Sequence, residues 1–73
     1  MHLIQFTSLK GTRFAIDILD VHFLEMVNDR VCIVHYSIGD TQFEDHIEGN
    51  FDTVLNTINY ASKDNEGDEW KER

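Results

Sequence analysis

Apolar and polar side chains alternate along much of this chain, which is the pattern of β-strands that bury one face. Ile4 and Phe6 alternate with polar neighbours before the turn residues 10–12, and Phe14 and Ile16 alternate after them. Glycine in a short polar segment between two such stretches favours a tight turn. The start of the chain is therefore predicted to form a β-hairpin.

Two more turn signals follow, an Asn-Asp pair at positions 28–29 and a Gly-Asp pair at positions 39–40. These residue types tolerate the positive φ that tight hairpin turns demand. Strands are therefore expected over residues 21–27, 30–38 and 41–47. Together with the first hairpin they would make an antiparallel sheet of about five strands in meander order.

A helix is predicted to close the domain, because the period of the apolar positions changes after Gly49. Asn50 is a favourable N-cap, and Asp52 in the first turn complements the positive end of the helix. The apolar positions share one helical face: Phe51, Val54, Leu55, Ile58 and Ala61. The predicted fold is thus α+β, with a single C-terminal helix packed on one face of the sheet.

Composition changes abruptly after residue 61. Residues 62–73 carry one hydrophobic side chain, Trp70, among many charges, so they cannot bury enough apolar surface to offset the entropy of ordering. We therefore expect one domain over residues 1–61 and a disordered, flexible acidic tail over residues 62–73. Trp70 is a candidate anchor for a pocket on a partner.

Two-residue turns would fix the strand register and sort the strand residues into two faces. The more apolar face is assigned to the core: Val21, Phe23, Cys32, Val34, Tyr36, Ile38, Phe43 and Ile47. The opposite face would carry an uncovered apolar strip, which is our candidate for a partner-binding surface or a homodimer seam. The strip consists of Leu24, Met26, Val31 and Ile33. Alternatively, the first hairpin or the tail covers this face, or the register differs by one residue.

Charge narrows the classes of partner. The chain has 73 residues and a formal net charge of -8, from 14 acidic and 6 basic side chains. A field of that sign repels phosphate backbones and anionic lipids, so direct nucleic-acid or membrane binding is not expected. Carboxylates at Asp40, Glu44, Asp45 and Glu48 could instead match the basic groove of a nucleic-acid-binding protein. Alternatively, the acidic residues only keep a small protein in solution.

The cysteine count and the N-terminal residues indicate the cellular compartment of the protein. Cys32 has no second cysteine with which to form a disulfide, which fits a reducing environment. The N-terminal residues lack the positive segment and the long apolar stretch of a secretory signal, and no run has the length of a membrane span. We expect a cytoplasmic protein.

Catalytic motifs are missing from the sequence: it has no phosphate-binding glycine loop, paired-cysteine zinc pattern or nucleophile elbow. The predicted register would gather His22, His35, Glu44 and His46, which are residue types that can ligate zinc. A pH-sensitive surface or plain solvated histidines are the alternatives. One sheet and one helix rarely enclose a pocket. We therefore expect no enzyme activity, no metal, no cofactor and no small-molecule substrate.

Several of these signals occur together: a Leu9-Lys10-Gly11 turn, a strand containing Phe14, a strand start at Asp29-Arg30-Val31, a turn at Gly39 and a closing helix. This outline resembles the small FlbD-like proteins encoded with flagellar genes, although their proline positions have no counterpart here. The resemblance implies a small structural or regulatory subunit. In size and charge the chain also looks like phage-encoded inhibitors, such as anti-CRISPR proteins that occupy nucleic-acid grooves.

The main functional hypothesis is a small acidic binding protein that inhibits or modulates a basic, nucleic-acid-handling protein, as a nucleic-acid mimic does. The alternative is a structural or regulatory subunit that forms a homodimer through its exposed sheet face.

Overall fold

The structure is a computed structural model, which describes residues 2–66. Within that range the chain forms five strands, a short 3-10 helix and an α-helix, so the α+β class predicted from the sequence is confirmed. The elements are β1 (Leu3–Thr7), β2 (Arg13–Asp17), the 3-10 helix (Ile18–Asp20), β3 (Val21–Met26), β4 (Val31–Ile38), β5 (Thr41–Glu48) and α1 (Phe51–Glu66). No helix in this range combines the length and the apolar character that crossing a bilayer requires.

The first hairpin forms as predicted. Strands β1 and β2 pair antiparallel, with Phe6 opposite Phe14. The hydroxyl of Ser8 accepts a hydrogen bond from the backbone N–H of Thr12 at 3.1 Å, which closes the turn. Gly11 within that turn has a φ of 89°, a conformation that residues with a Cβ rarely adopt.

The five strands form two sheets, so the prediction of one continuous five-strand meander is not confirmed. The order is β1-β2 in one sheet and β3-β4-β5 in the other. Strands β2 and β3 do not pair because the 3-10 helix separates them, and the Asp17 carboxylate caps that helix by accepting from Leu19 N at 3.0 Å. The turn also directs Ile18 into the core. The two sheets approach each other at one isolated bridge between Ser8 and Ile47.

The β4–β5 hairpin has the predicted register. Ile38 lies opposite Thr41 across a two-residue turn, and the pairing continues without irregularity along both strands. Gly39 takes a φ of 62°, whereas Asp40 does not have a positive φ. Glycine at the first central position is characteristic of a type II′ turn, whose twist matches that of the flanking strands.

The β3–β4 register differs by one residue from the prediction over most of β3. Leu24 lies opposite Val34 rather than Ile33. A two-residue type I′ turn needs positive φ at both central residues, and no non-glycine residue in the described range has one. Instead, the side chain of Asn28 accepts a hydrogen bond from Arg30 N at 2.8 Å, which closes a wider turn.

A β-bulge at His22, near the start of β3, compensates for this one-residue shift. Val21 still pairs with Tyr36 as predicted, but Phe23 pairs with His35. A bulge places two residues of one strand opposite one residue of its partner, so the side chains beyond it change face. Phe23, which was assigned to the core, therefore shares a face with His35.

The core lies where the first hairpin, one face of the three-stranded sheet and α1 meet. Its buried members are Ile4, Phe6, Ile16, Ile18, Cys32, Val34, Tyr36, Ile47 and Ala61. Ile38 and Phe43, which were also assigned to the core, remain 60% and 42% exposed. They flank the Gly39 turn at the far end of the β4–β5 hairpin, beyond most of the residues that bury the face.

Helix α1 begins where the sequence predicts. The side chain of Asn50 accepts hydrogen bonds from Asp52 N at 2.9 Å and Thr53 N at 3.3 Å, so two of the otherwise unpaired N–H groups are satisfied. The predicted apolar face packs on the core, with Ala61 buried and Ile58 half-buried.

The helix continues to Glu66, past its predicted end at residue 61. Backbone hydrogen bonds and good helix formers such as lysine and glutamate can extend a helix without further apolar burial, which a burial-based prediction overlooks. The remainder of the predicted tail, residues 67–73 with Trp70, lies outside the described residues.

Candidate functional site

One side of the three-stranded sheet, which we call the outer face, is turned away from the core. It displays alternate residues of β4: Val31, Ile33, His35 and Ser37. Opposite them on β5 lie Glu48, His46, Glu44 and Gln42. Strand β3 adds Phe23 and Glu25. Strands β3, β4 and β5 contain no lysine or arginine, so carboxylates determine the charge of this face.

His35 occupies the centre of the outer face. The ring of Phe23 stacks on it, with centroids 3.9 Å apart and planes 11° from parallel. Its Nε2–H donates to the Glu25 carboxylate at 3.0 Å, and its Nδ1 lies 4.0 Å from Oε1 of Glu44. The imidazole is thus held by one aromatic ring and two carboxylates, one from each neighbouring strand.

The predicted apolar strip does not form, because its four residues lie on two different faces. Val31 and Ile33 lie on the outer face and are half-buried. Leu24 pairs with Val34, and Met26 pairs with Cys32. Both β4 residues are fully buried, so their partners on β3 share the inner face with them. The cause is the one-residue difference in the β3–β4 register.

The four carboxylates predicted to bind a partner are also divided. Glu44 and Glu48 are exposed on the outer face, and Asp40 is exposed in the Gly39 turn. Asp45 points to the inner face, where Tyr36 donates its hydroxyl hydrogen to Oδ2 of Asp45 at 2.6 Å. Three of the four carboxylates are therefore available to a partner at the outer face or its end.

The Tyr36–Asp45 pair is the main polar feature of the inner face. Burial, together with the hydrogen bond and the charge of Asp45, raises the pKa of Tyr36 to about 12. The phenol also belongs to a row of rings, because its centroid lies 6.4 Å from Phe14 and 5.4 Å from Phe43. This row connects the buried hairpin to the exposed end of the sheet.

The histidines predicted as possible metal ligands do not converge. His22 Nε2 and the hydroxyl of Ser37 are 2.7 Å apart, whereas His35 contacts carboxylates on either side. Within residues 2–66, no group of three or more His, Cys, Asp or Glu side chains is placed to hold a metal ion.

Cys32 has the surroundings of a packing residue. It is fully buried, and its Sγ–H donates to the carbonyl oxygen of Gly49 at 3.4 Å. Burial raises the pKa of the thiol, which disfavours the reactive thiolate.

Strand β5 borders a groove that β4 also helps to line. The groove has a volume of about 650 Å³ and lies between β5 and the turn of the first hairpin. Leu9 and Phe14 supply apolar surface, Glu44 and Asp45 supply carboxylates, and Lys10 supplies one cation. It is more apolar than the depression on the other side of the sheet end, which His22, Phe23 and Gln42 line.

Sequence reasoning missed Phe23 and the Tyr36–Asp45 pair for different reasons. A bulge at His22 has no residue signature, so the face of Phe23 could not be read from alternation. The Tyr36–Asp45 contact could have been found, because the correct β4–β5 register already sets the two side chains diagonally on one face.

Comparisons with known proteins assign the chain to no family, because no family model, curated protein or solved structure matches it. The resemblances to FlbD-like proteins and to phage-encoded inhibitors stay predictions.

Proposed function

We propose that this chain is a non-catalytic binding protein that modulates a basic, nucleic-acid-handling protein by presenting the outer face and β5 to it. The observation that carries the proposal is the charge of the three-stranded sheet. Its strands lack lysine and arginine, while Glu44 and Glu48 are exposed on the outer face. A protein surface built to meet phosphates is attracted to such a face and selects it over neutral surfaces.

The position of the positive charges supports the same proposal. Lys10 and Arg13 belong to the first hairpin, and Arg30 lies in the turn between β3 and β4. Lys10 lines the groove beside Glu44 and Asp45, and Arg30 directly precedes β4, so these cations lie at the border of the acidic sheet. The strands themselves carry no lysine or arginine, and a surface field of one sign steers and orients an approaching partner of the other sign.

Dimerisation through the sheet face, the alternative expected from the sequence, has less support. It relied on a continuous apolar strip, whereas Leu24 packs against the core and Val31 and Ile33 lie on the outer face. Phe23, at 56% exposure, is the prominent apolar side chain left on that face. One ring stacked on a histidine is a smaller apolar surface than obligate dimers usually bury.

The proposal is tested by capture of host proteins on the immobilised full chain, with ionic strength and duplex DNA as competitors. We expect the captured proteins to be basic and to bind nucleic acid. They should be released by salt, because charged contacts at a surface are screened. Duplex DNA should displace them, because it competes for the same basic groove.

A matched pair of double variants distinguishes the effect of the outer-face charges from the effect of the total net charge. Glu44→Lys with Glu48→Lys reverses the outer face, whereas Asp20→Lys with Asp29→Lys makes the same change in total charge elsewhere. Only the first pair should lose the captured proteins. Equal capture by both double variants and the parent, or capture that duplex DNA does not displace, would contradict the proposal.

A further inference from the structure

Strand β5 has an open edge. It pairs with β4 along its whole length on one side, but on the other side the structure places a single bridge, at Ile47. A two-residue turn is flanked by a hydrogen-bonded pair, here Ile38 and Thr41, and such pairs alternate along an antiparallel ladder. The backbone N–H and C=O groups of Gln42 and Glu44 therefore point away from β4, and Glu44 also lines the groove.

The other edge of this sheet is built differently. Strand β3 is interrupted by the bulge at His22, and it contacts α1. Bulges and covering helices are the usual means by which proteins prevent a sheet edge from pairing with another chain. Strand β5 has neither a bulge in its pairing with β4 nor a helix packed along it in the described range. Its protection against self-pairing consists of carboxylates.

The groove beside the open edge has the character that an added strand requires. Neighbouring strands lie about 4.8 Å apart, so a strand added to β5 would enter the space between β5 and the first hairpin. There its inward side chains would meet the apolar side chains of Leu9 and Phe14, with Lys10 at the hairpin turn as the one lysine or arginine among the described residues that line the groove. Phe43, 42% exposed, lies on the same inner face of β5 as the groove-lining Asp45.

Charge decides between a second copy of this chain and a different partner. A second copy would bring its own acidic β5, including Glu44 and Glu48, to a seam that already holds those carboxylates. Like charges facing each other across paired strands are destabilising. A strand rich in lysine or arginine would instead place cations beside them.

We propose that the open edge of β5 binds an extended, basic segment of the partner protein by β-strand addition. The inference rests on the proposed function and deepens it, because it specifies which element of the partner is recognised. Strand addition takes its affinity from backbone hydrogen bonds and its specificity from alternate side chains. Here the segment hydrogen bonds to Gln42 and Glu44, its lysine or arginine side chains extend over the outer face, and its apolar side chains enter the groove.

The alternation of side chains defines the probe. A short fluorescent peptide in which lysine and valine alternate presents cations to one face and apolar groups to the other. A peptide of equal composition in which the alternation is destroyed serves as its control. We expect the full-length chain to bind the alternating peptide, with fluorescence anisotropy as the readout, and to bind the control at least about tenfold more weakly, the loss that one or two contacts produce.

The variant Gln42→Pro tests backbone pairing. Proline removes the Gln42 N–H, which points outward, and its ring hinders an incoming strand, while edge strands tolerate proline at such positions. Binding should fall by about tenfold, with circular dichroism confirming that the fold persists. Charge at the edge is tested separately by Glu44→Lys, which should also weaken binding of the peptide. Asp29→Lys, in the β3–β4 turn, is the matched surface control for that variant and should lower affinity less.

A change in the peptide makes the test independent of protein folding. N-methylation of one alternate set of peptide amides should abolish binding, whereas methylation of the other set should leave it, because only one set faces β5. Equal binding by both methylated peptides, or by Gln42→Pro and the parent, would overturn strand addition. If Glu44→Lys still lost the peptide in that case, the proposed acidic surface would stand without the edge. A parent dimer that Gln42→Pro converts to a monomer would also overturn the basic segment as occupant.

Discussion

The inner and outer faces of the three-stranded sheet share the same strands and yet differ in almost every property. On β4, Cys32 and Val34 are fully buried, whereas their neighbours Ile33 and His35 are half-buried on the other side. The inner face packs on the first hairpin and α1 except at the end that carries Ile38 and Phe43, whereas no element of the described chain packs along the outer face. Alternation along a strand thus assigns stability and recognition to different residues of one element.

The largest expected effect contrasts the same substitution on the two faces. Ile47→Ala removes a side chain that is 1% exposed, and it should lower the free energy of unfolding by about 2–5 kcal/mol. Ile33→Ala, on the half-buried outer face, should cost less than half as much because its site is already partly hydrated. Urea denaturation of both variants measures the difference, and equal losses would show that the outer face is covered in solution.

Alkaline pH should weaken the inner face through Tyr36. The pKa of Tyr36 is about 12 in the folded chain, against an ordinary value of 10.0. A folded-state pKa above the unfolded value means that the stabilisation is complete below pH 10.0 and is lost as the pH rises to about 12. The difference corresponds to about 3 kcal/mol of unfolding free energy.

Tyr36→Phe identifies the source of that loss. The variant lacks the ionising phenol, so the fall in stability between pH 10.0 and about 12 should be much smaller than in the parent. Burial also raises the pKa of Cys32, so Cys32→Ala in the same background should remove a further part of the alkaline dependence. An unchanged pH profile in Tyr36→Phe would contradict the role given to the buried Tyr36 phenol.

Much of the division between the faces can be predicted from the sequence, and the exceptions have a common cause. The Gly39 turn and the Asn50 cap are fixed by local chemistry, so β5, α1 and the outward position of Glu44 follow from residue types. The Asn-Asp pair at 28–29 offers two solutions, a two-residue turn or an Asx turn, and the second is adopted. That choice shifts β3 by one residue and transfers Phe23 to the outer face.

The separation of the strands into two sheets could not be read from alternation. Ile16 and Ile18 continue the period of β2, so the sequence pattern does not reveal the 3-10 helix at Ile18–Asp20. Its signal is the Asp17 side chain, which caps the turn, and capping aspartates are hard to distinguish from ordinary polar positions of a strand. Strand β5 would also be an edge strand in the predicted meander, so the separation does not create its open edge. It instead places the first hairpin beside β5, where it forms the groove, and this the sequence pattern did not indicate.

Phe23→Ala should sharpen the contrast on the outer face with a smaller effect. The ring is 56% exposed and stacks on His35 at 3.9 Å, so its removal should cost about 1 kcal/mol. Thermal and urea unfolding measure the loss, and Leu24→Ala on the inner side of the same strand is the matched comparison. A loss from Phe23→Ala that equals or exceeds that from Leu24→Ala would indicate that the predicted register of β3, rather than the observed one, is correct.

The smallest expected effect concerns the hydrogen bond between His35 and Glu25 at the centre of the outer face. Glu25→Gln keeps an acceptor near His35 but removes the negative charge, and because the contact is exposed it should change the unfolding free energy by about 0.5 kcal/mol or less. The change should disappear at high ionic strength, where exposed charges are screened. Glu48→Gln, opposite Val31 on the same face, provides the control for loss of a carboxylate alone. A large, salt-independent loss in Glu25→Gln would mean that His35 and Glu25 are buried by a partner or a second copy, and the outer face would then resemble the inner one.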